Sequence, residues 1–376
     1  MFELLNLQSK AFGLDISDLS LKVVKLKKKR KAFDLTSFGE EKIRPGIIKE
    51  GRIKDEKALA KLISESLKKV KGEKIKTPYV ITSLPEEKAF LQVIQMPKMA
   101  KEELKSAIIY EAENYIPLPI ESVYLDYQII APVHNHLDRL DVLIAALPKK
   151  IIDSYVSALK LAGLKPLALE IESLAIARAL IKDQTTTSPV LLIDFGGTRT
   201  SFIVFSGNSL RFTSSIPVSS QSFTEIIAKS LGVSLLKAEN LKIKHGLEEK
   251  IKLKIKDKKS ERTIERGKIF EALVPPLIDL IQQIKKHLEY YQTHASHEHL
   301  PPNGKKVEKI YLCGGGANLK GLPELLTLEL KIPVKLGNPW INILADPLTG
   351  KNEFPLEKAL SYTTALGLAL RGIEYR

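Results

Sequence analysis

Two aspartates stand in matching local settings. Asp15, in GLDIS, and Asp194, in LIDFGGTRTS, each end an apolar strand-like run and precede a tight turn. Phosphates are held where turns or helix starts aim backbone N–H groups at them, and glycine lets the backbone approach with no side chain in between. Gly196, Gly197 and Thr198 offer one such turn, and Asp194 at its strand end would hold magnesium through water rather than touch phosphate directly. Two facing carboxylates around one metal suit phosphoryl chemistry, whereas either aspartate alone is an ordinary turn residue. A third turn, GGGAN, carries Gly314, Gly315, Gly316 and Asn318 between an apolar strand and a helix, so its backbone could lie flat against an adenine; by itself it is a flexible turn. Glu239 and Lys242 share one helix face, placed to bond ribose hydroxyls and to meet a ring or phosphate; in isolation they are a surface ion pair. Cys313, the single cysteine, excludes an internal disulfide and reads as a packed strand-end thiol. His294, His297 and His299 fall in a loop-like stretch with no suitably spaced cysteine, which argues against a zinc site.

The elements that must carry these residues repeat. FGLDISDLSLKVVKL and AFDLTSFGEEKI alternate in the strand manner and predict a three-stranded meander; VLLIDFGG, TSFIVFSG and SLRFTSSIPV predict a second. Such duplication predicts an α/β protein of two related lobes facing across a cleft. A helix is expected from Asp55, as cap, to Val70, and an inserted α+β module over about 77–164. Further helices are expected at 222–230 and 235–246, and from Pro275 to Thr293. The expected boundaries are 10–188 for the first lobe, 189–357 for the second with a base-contacting part near 222–300, and 358–376 for a helix returning to the first lobe.

A chain of 376 residues, 44% hydrophobic and 27% charged, is long enough for two cores and too apolar to be disordered. Its longest apolar runs fall far short of a membrane span, and MFELLNLQSK lacks the features of a secretion signal, so a cytoplasmic protein is expected. Fifty-eight Lys and Arg against 44 Asp and Glu give a net charge of +14, which favours anionic partners. The densest basic run, Lys25 to Lys31, falls where one strand must reverse into the next and reads first as a solvated hairpin tip, second as a lipid-headgroup contact.

The order of these motifs resembles the actin-like ATPases. GLDIS, with Asp15 and Ser17, looks like their first phosphate motif, LLIDFGGTRTSFIVF like the second, AENLK like the ribose motif and LCGGGANLKGL like the adenosine motif. LEIESLAIARAL is similar to the first connecting helix, where Glu172 matches the position that orients the attacking water. Within that superfamily, EELKSAIIYEAENYIPLPIESVYLDYQII and GNPWINI resemble the PilM family of type IV pilus assembly proteins. The resemblance spans essentially the whole chain. It implies an actin-like (ribonuclease H-like) two-lobe fold with an inserted subdomain, ATP and magnesium between the lobes, and a place beneath the inner membrane. The implied partners are the tail of a PilN-like single-pass membrane protein, bound near Tyr110, Tyr115 and Ile116, and other pilus platform proteins. Membrane-surface contact would be weak or indirect, self-association is open, and no nucleic acid is expected. Ser17 and Asp18 stand where relatives have Gly and Ser, and Ser219 and Ser220 replace a glycine pair, so slow or absent ATP turnover is expected. The alternatives are an FtsA-like filament-forming protein, against which the chain's stop after the closing helix counts, and a small-molecule kinase of the same fold.

Overall fold

The computed structural model describes residues 11–29, 32–130, 139–247, 261–294, 306–345 and 354–374. Strands β1 (Phe12–Ile16), β2 (Ser20–Lys29) and β3 (Ala32–Lys42) form the first antiparallel meander. A small hairpin, β4 (Ile48–Lys49) and β5 (Arg52–Ile53), leads into helix α1 (Glu56–Lys68). Asp55 caps that helix by accepting from the Ala58 N–H, and Leu59 and Ile63 on its inner face are fully buried. Each such side chain contributes about 1.5–3 kcal/mol. Strand β6 (Lys71–Gly72) extends the sheet beyond β3, and β7 (Tyr79–Leu84) runs parallel to β1 on the other side.

The chain then leaves this sheet through a short turn, Glu86–Lys88, and builds a separate layer from β8 (Phe90–Pro97), α2 (Lys101–Ala112), β9 (Val123–Ile130) and β10 (Arg139–Pro148). Their order is β8-β10-β9. Helix α3 (Lys149–Leu161) returns to pack beside α1, and β11 (Lys165–Ile171) joins β7 in parallel. The inserted layer is therefore 90–148, narrower than the 77–164 read from sequence, because β7 pairs with β1 and α3 buries Tyr155 and Leu159 against the first sheet.

Helix α4 (Glu172–Leu180) carries the chain across to the second meander, β12 (Thr186–Phe195), β13 (Thr200–Gly207) and β14 (Ser209–Ile216). Helices α5 (Ser220–Leu231), α6 (Leu235–His245) and α7 (Glu261–His294) follow, then β15 (Lys309–Cys313), α8 (Leu322–Leu330) and β16 (Val334–Leu336). The chain returns through α9 (Leu356–Ser361) and α10 (Thr363–Glu374). The two large sheets have one design: β3-β2-β1-β7-β11 in the first and β14-β13-β12-β15-β16 in the second, each an antiparallel meander with two parallel strands beside its first. All of β1 is buried, as a strand covered on both faces should be.

Two elements differ from the sequence reading. Pro275 and Pro276 lie inside α7 rather than at its start. Adjacent prolines disturb only one local stretch of the hydrogen-bond ladder, while the buried series Ile269, Leu273, Leu277, Leu280, Ile284 and Leu288 runs through them at helical spacing and keeps the axis packed. The closing helix is broken at Tyr362, whose buried ring packs edge-on to Phe354. His294 ends α7, stacked on Tyr290, while His297, His299 and the lysine-rich stretch at 250–260 lie outside the described residues.

Candidate functional site between the lobes

The matching sheets bring the ends of β1 and β12 to one cavity of about 470 Å³. Asp15 and Asp194, each one residue before its strand's end, both line it, as do Ser17, Gly196, Gly197, Thr198, Gly314, Gly315 and Glu172. The β12–β13 turn is closed by the Gly196 N–H donating to the Arg199 carbonyl at 2.9 Å, and α5 starts against it, with the Ser220 N–H donating to the Gly196 carbonyl at 3.0 Å. Gly314 has φ +82°, and a Cβ there would collide with the Asp194 carboxylate, so that wall of the cavity tolerates only glycine.

The cavity concentrates negative charge. Asp15 accepts from Ser83 Oγ at 3.0 Å, and burial raises its pKa against the opposing effects of Lys22 and that hydrogen bond. Burial, with the charge of Asp15 added, pushes Asp194 up to about 6. Glu172, the first residue of α4, is driven well above the usual carboxylate range by burial and then by Asp15. Two further carboxylates belong to the same region and escaped the sequence reading. Glu87 lines the cavity, and buried Glu86 accepts from the Ser173 N–H at 3.2 Å while its own N–H donates to Glu172. Burial raises both. The signal was present in SLPEE, a third strand end followed by acids, but nothing local shows that this turn faces the other two. Lys22 and Arg199 also line the cavity, and among the described residues no three acidic, His or Cys side chains converge as a metal-ligand set. A divalent cation would therefore be held largely through water and an anionic ligand, and its charge would relieve the carboxylates.

Other expected residues lie a step away. Lys242 is buried, and its Nζ donates to Ser220 O and Oγ at 2.8 Å and to Thr224 Oγ1 at 2.7 Å, and pairs with Glu239 at 2.9 Å. Glu239 also accepts from Thr224. The pair reaches the glycine turn only through Ser220. Gly316 packs on Phe195, and Asn318 donates to the Glu357 carbonyl; neither lines the cavity. Ser219 caps α5 in a reciprocal box with Ser222. Asp18 lines the cavity rim, but its carboxylate accepts from the N–H groups of Glu50 and Gly51 at 2.8 and 2.9 Å, so it fastens the β4–β5 turn rather than standing free beside a phosphate.

The inserted layer presents an open edge. β9 pairs with β10 on one side only among the described residues, and Tyr124, Tyr127 and Ile129 are exposed along it. Tyr124 reaches the first lobe, donating to Asp153 of α3 at 3.1 Å. Of the three residues expected near a partner, Tyr110 (74% exposed) and Tyr115 (43%) are presented to solvent, while Ile116 is buried in the insert's own core with Ile108 and Val123.

Comparisons with known proteins follow this architecture. The profile of the type IV pilus assembly protein PilM matches residues 13–373. A solved PilM-PilN type IV pilus biogenesis complex superposes with a TM-score of 0.77 and 30% identity, covering 97% of this chain and 99% of that one. MreB 5 of Spiroplasma citri, solved bound to AMPPNP, shares the fold at a TM-score of 0.50 and 13% identity, over 96% of this chain and 95% of its own. Among curated sequences, the cell division protein FtsA of Pseudomonas aeruginosa is 27% identical over 220 residues, 56% of this chain and 49% of the relative. The chain spans about half the length of the curated relatives it matches. The fold is the two-lobed actin-like one with an inserted subdomain.

Proposed function

Because this chain belongs to the PilM family of type IV pilus assembly proteins, we propose that it is a nucleotide-loaded adaptor of the pilus inner-membrane platform, binding ATP with magnesium between its lobes and the tail of a PilN-like membrane protein at the insert. The observation that carries the nucleotide half is the cavity in which the Asp15 and Asp194 strand ends face two glycine turns. Gly196, Gly197, Thr198 and Ser17 would meet phosphates, Asp15 and Asp194 would hold magnesium through water, and Gly314 and Gly315 would lie beneath the base. Glu239, 40% exposed at its side chain, would turn outward to the ribose. That MreB 5, of the same fold, was solved bound to AMPPNP supports nucleotide binding. Turnover is expected to be slow or absent, since burial and then Asp15 raise the Glu172 carboxyl well above the usual carboxylate range and so disfavour the charged form that takes a proton from water.

The partner half rests on the open β9 edge beside α3 and on the PilM-PilN complex as a structural relative. An extended tail laid there would lose about 1–2 kcal/mol of backbone freedom per residue, so a few anchors against Tyr124, Tyr127 and Ile129 must carry the affinity. Two titrations test the reading. Saturating ATP at about 100 times its dissociation constant should stabilise by about 2.7 kcal/mol and raise the melting temperature by a few degrees. No shift with ATP, ADP or GTP would refute the nucleotide half, and turnover above about 1 per second, in the ordinary enzyme range, would contradict a slow or silent ATPase. Failure of the candidate tail peptides to bind, with and without ATP, would remove the partner.

A further inference from the structure

Helices α1 and α3 lie side by side on the outer face of the first sheet, and their solvent side is strongly basic. From 56 to 69 and 149 to 165 the sequence holds eight lysines against three acidic residues. Two of the acids are engaged by neighbours: Glu56 accepts from Ser157 Oγ, and Asp153 accepts from Tyr124. Of the lysines, Lys69 pairs with Glu41 at 2.9 Å and Lys149 lies over the Tyr124 ring. Lys57, Lys61 and Lys68 recur along the exposed side of α1, Lys150 and Lys160 along that of α3, and none of these five is ion-paired among the described residues. At the C-terminal end of α3 the apolar Leu161 is 58% exposed, flanked by Lys160 and Lys165. Ser64 Oγ donates to the Ala162 carbonyl at 3.5 Å, which places the middle of α1 beside this leucine.

We propose that the α1–α3 face docks directly onto an anionic lipid bilayer, the lysines lying at headgroup level and Leu161 entering the interface. Charge complementarity selects the partner: unneutralised lysines around one apolar side chain match a surface of phosphate headgroups over hydrocarbon, and each lysine close to such a surface adds to the attraction. The face is also continuous with the candidate tail groove, since Tyr124 of β9 meets Asp153 and lies under Lys149 of the same α3. A membrane protein's short tail bound at β9 would thus enter from the side that faces the lipid. This deepens the adaptor reading by naming its membrane contact, but it needs neither nucleotide nor tail.

The test is co-sedimentation of the full chain, without peptide, on vesicles of phosphatidylcholine alone or with phosphatidylglycerol added. Binding should require phosphatidylglycerol and weaken with salt. The K61E/K68E/K160E variant should partition at least about a hundredfold less, and Leu161→Ser should weaken binding with no change in its salt dependence. The melting temperature of each variant, and its shift with ATP, report whether the fold is intact. Equal sedimentation of the triple variant and the native chain would overturn the proposal. So would absence of binding to phosphatidylglycerol vesicles, including the case in which the same lysines retain duplex DNA instead. Peptide titration without vesicles reports separately on the adaptor reading.

Discussion

Asp194 joins the most chemistry in the fewest atoms. It sits at a strand end, lines the cavity, and shuts out any Cβ at position 314. Its pKa, raised from 3.8 to about 6, means that the folded chain holds this proton more tightly than the unfolded one. Stability therefore falls as pH rises from about 4 to about 6 and stays reduced above that window. Asp194→Asn removes the penalty, so the ligand-free variant should be more stable than the native protein at neutral pH by about 1–2 kcal/mol, with a flatter melting profile across the window. It should also lose the magnesium-dependent part of any nucleotide shift, which calorimetry with and without EDTA would read. Residue types at strand ends were legible in the sequence, because a carboxylate beside a glycine turn is a local signal. Partners distant in the chain were not: nothing around Asp18 announces the Glu50 and Gly51 N–H groups it holds, and nothing around Lys242 announces Ser220 and Thr224.

At the scale of elements, β14 does more than complete a meander. Arg211 reaches from it into the inserted layer and pairs with Asp141 of β10 at 2.6 Å, both side chains almost fully buried. A guanidinium–carboxylate pair out of water is costly to break on one side only. Arg211→Met should therefore destabilise by about 3–5 kcal/mol, and adding Asp141→Leu should recover most of the loss, a cycle measured by urea unfolding. The duplicated meanders were readable because each is contiguous and alternates at period two. The assignment of β7 and α3 to the host sheet was not, since it depends on pairing with β1 and packing on α1, which the local pattern of either segment leaves open.

At the scale of the whole molecule, the lobes are joined where α4 and α10 cross. Gly367 lies directly against the Ala175 carbonyl, Gly13 of β1 sits under Ala365 and Ala369, and Leu368 and Ile81 pack beside them. Gly367→Ala would push a methyl into that carbonyl, so the melting temperature should drop by several degrees and the two helices should separate. The same crossing is locked by charge: Arg178 of α4 donates to the Gly367 carbonyl of α10 at 3.2 Å, and buried Glu170 of β11 pairs with Arg178 at 2.5 Å and with Arg371 of α10 at 3.2 Å. Backbone contact and a shared carboxylate make a keyed joint. Turning one half of the protein over the other there would strip a buried charge of its partners, at a cost of about 3–5 kcal/mol.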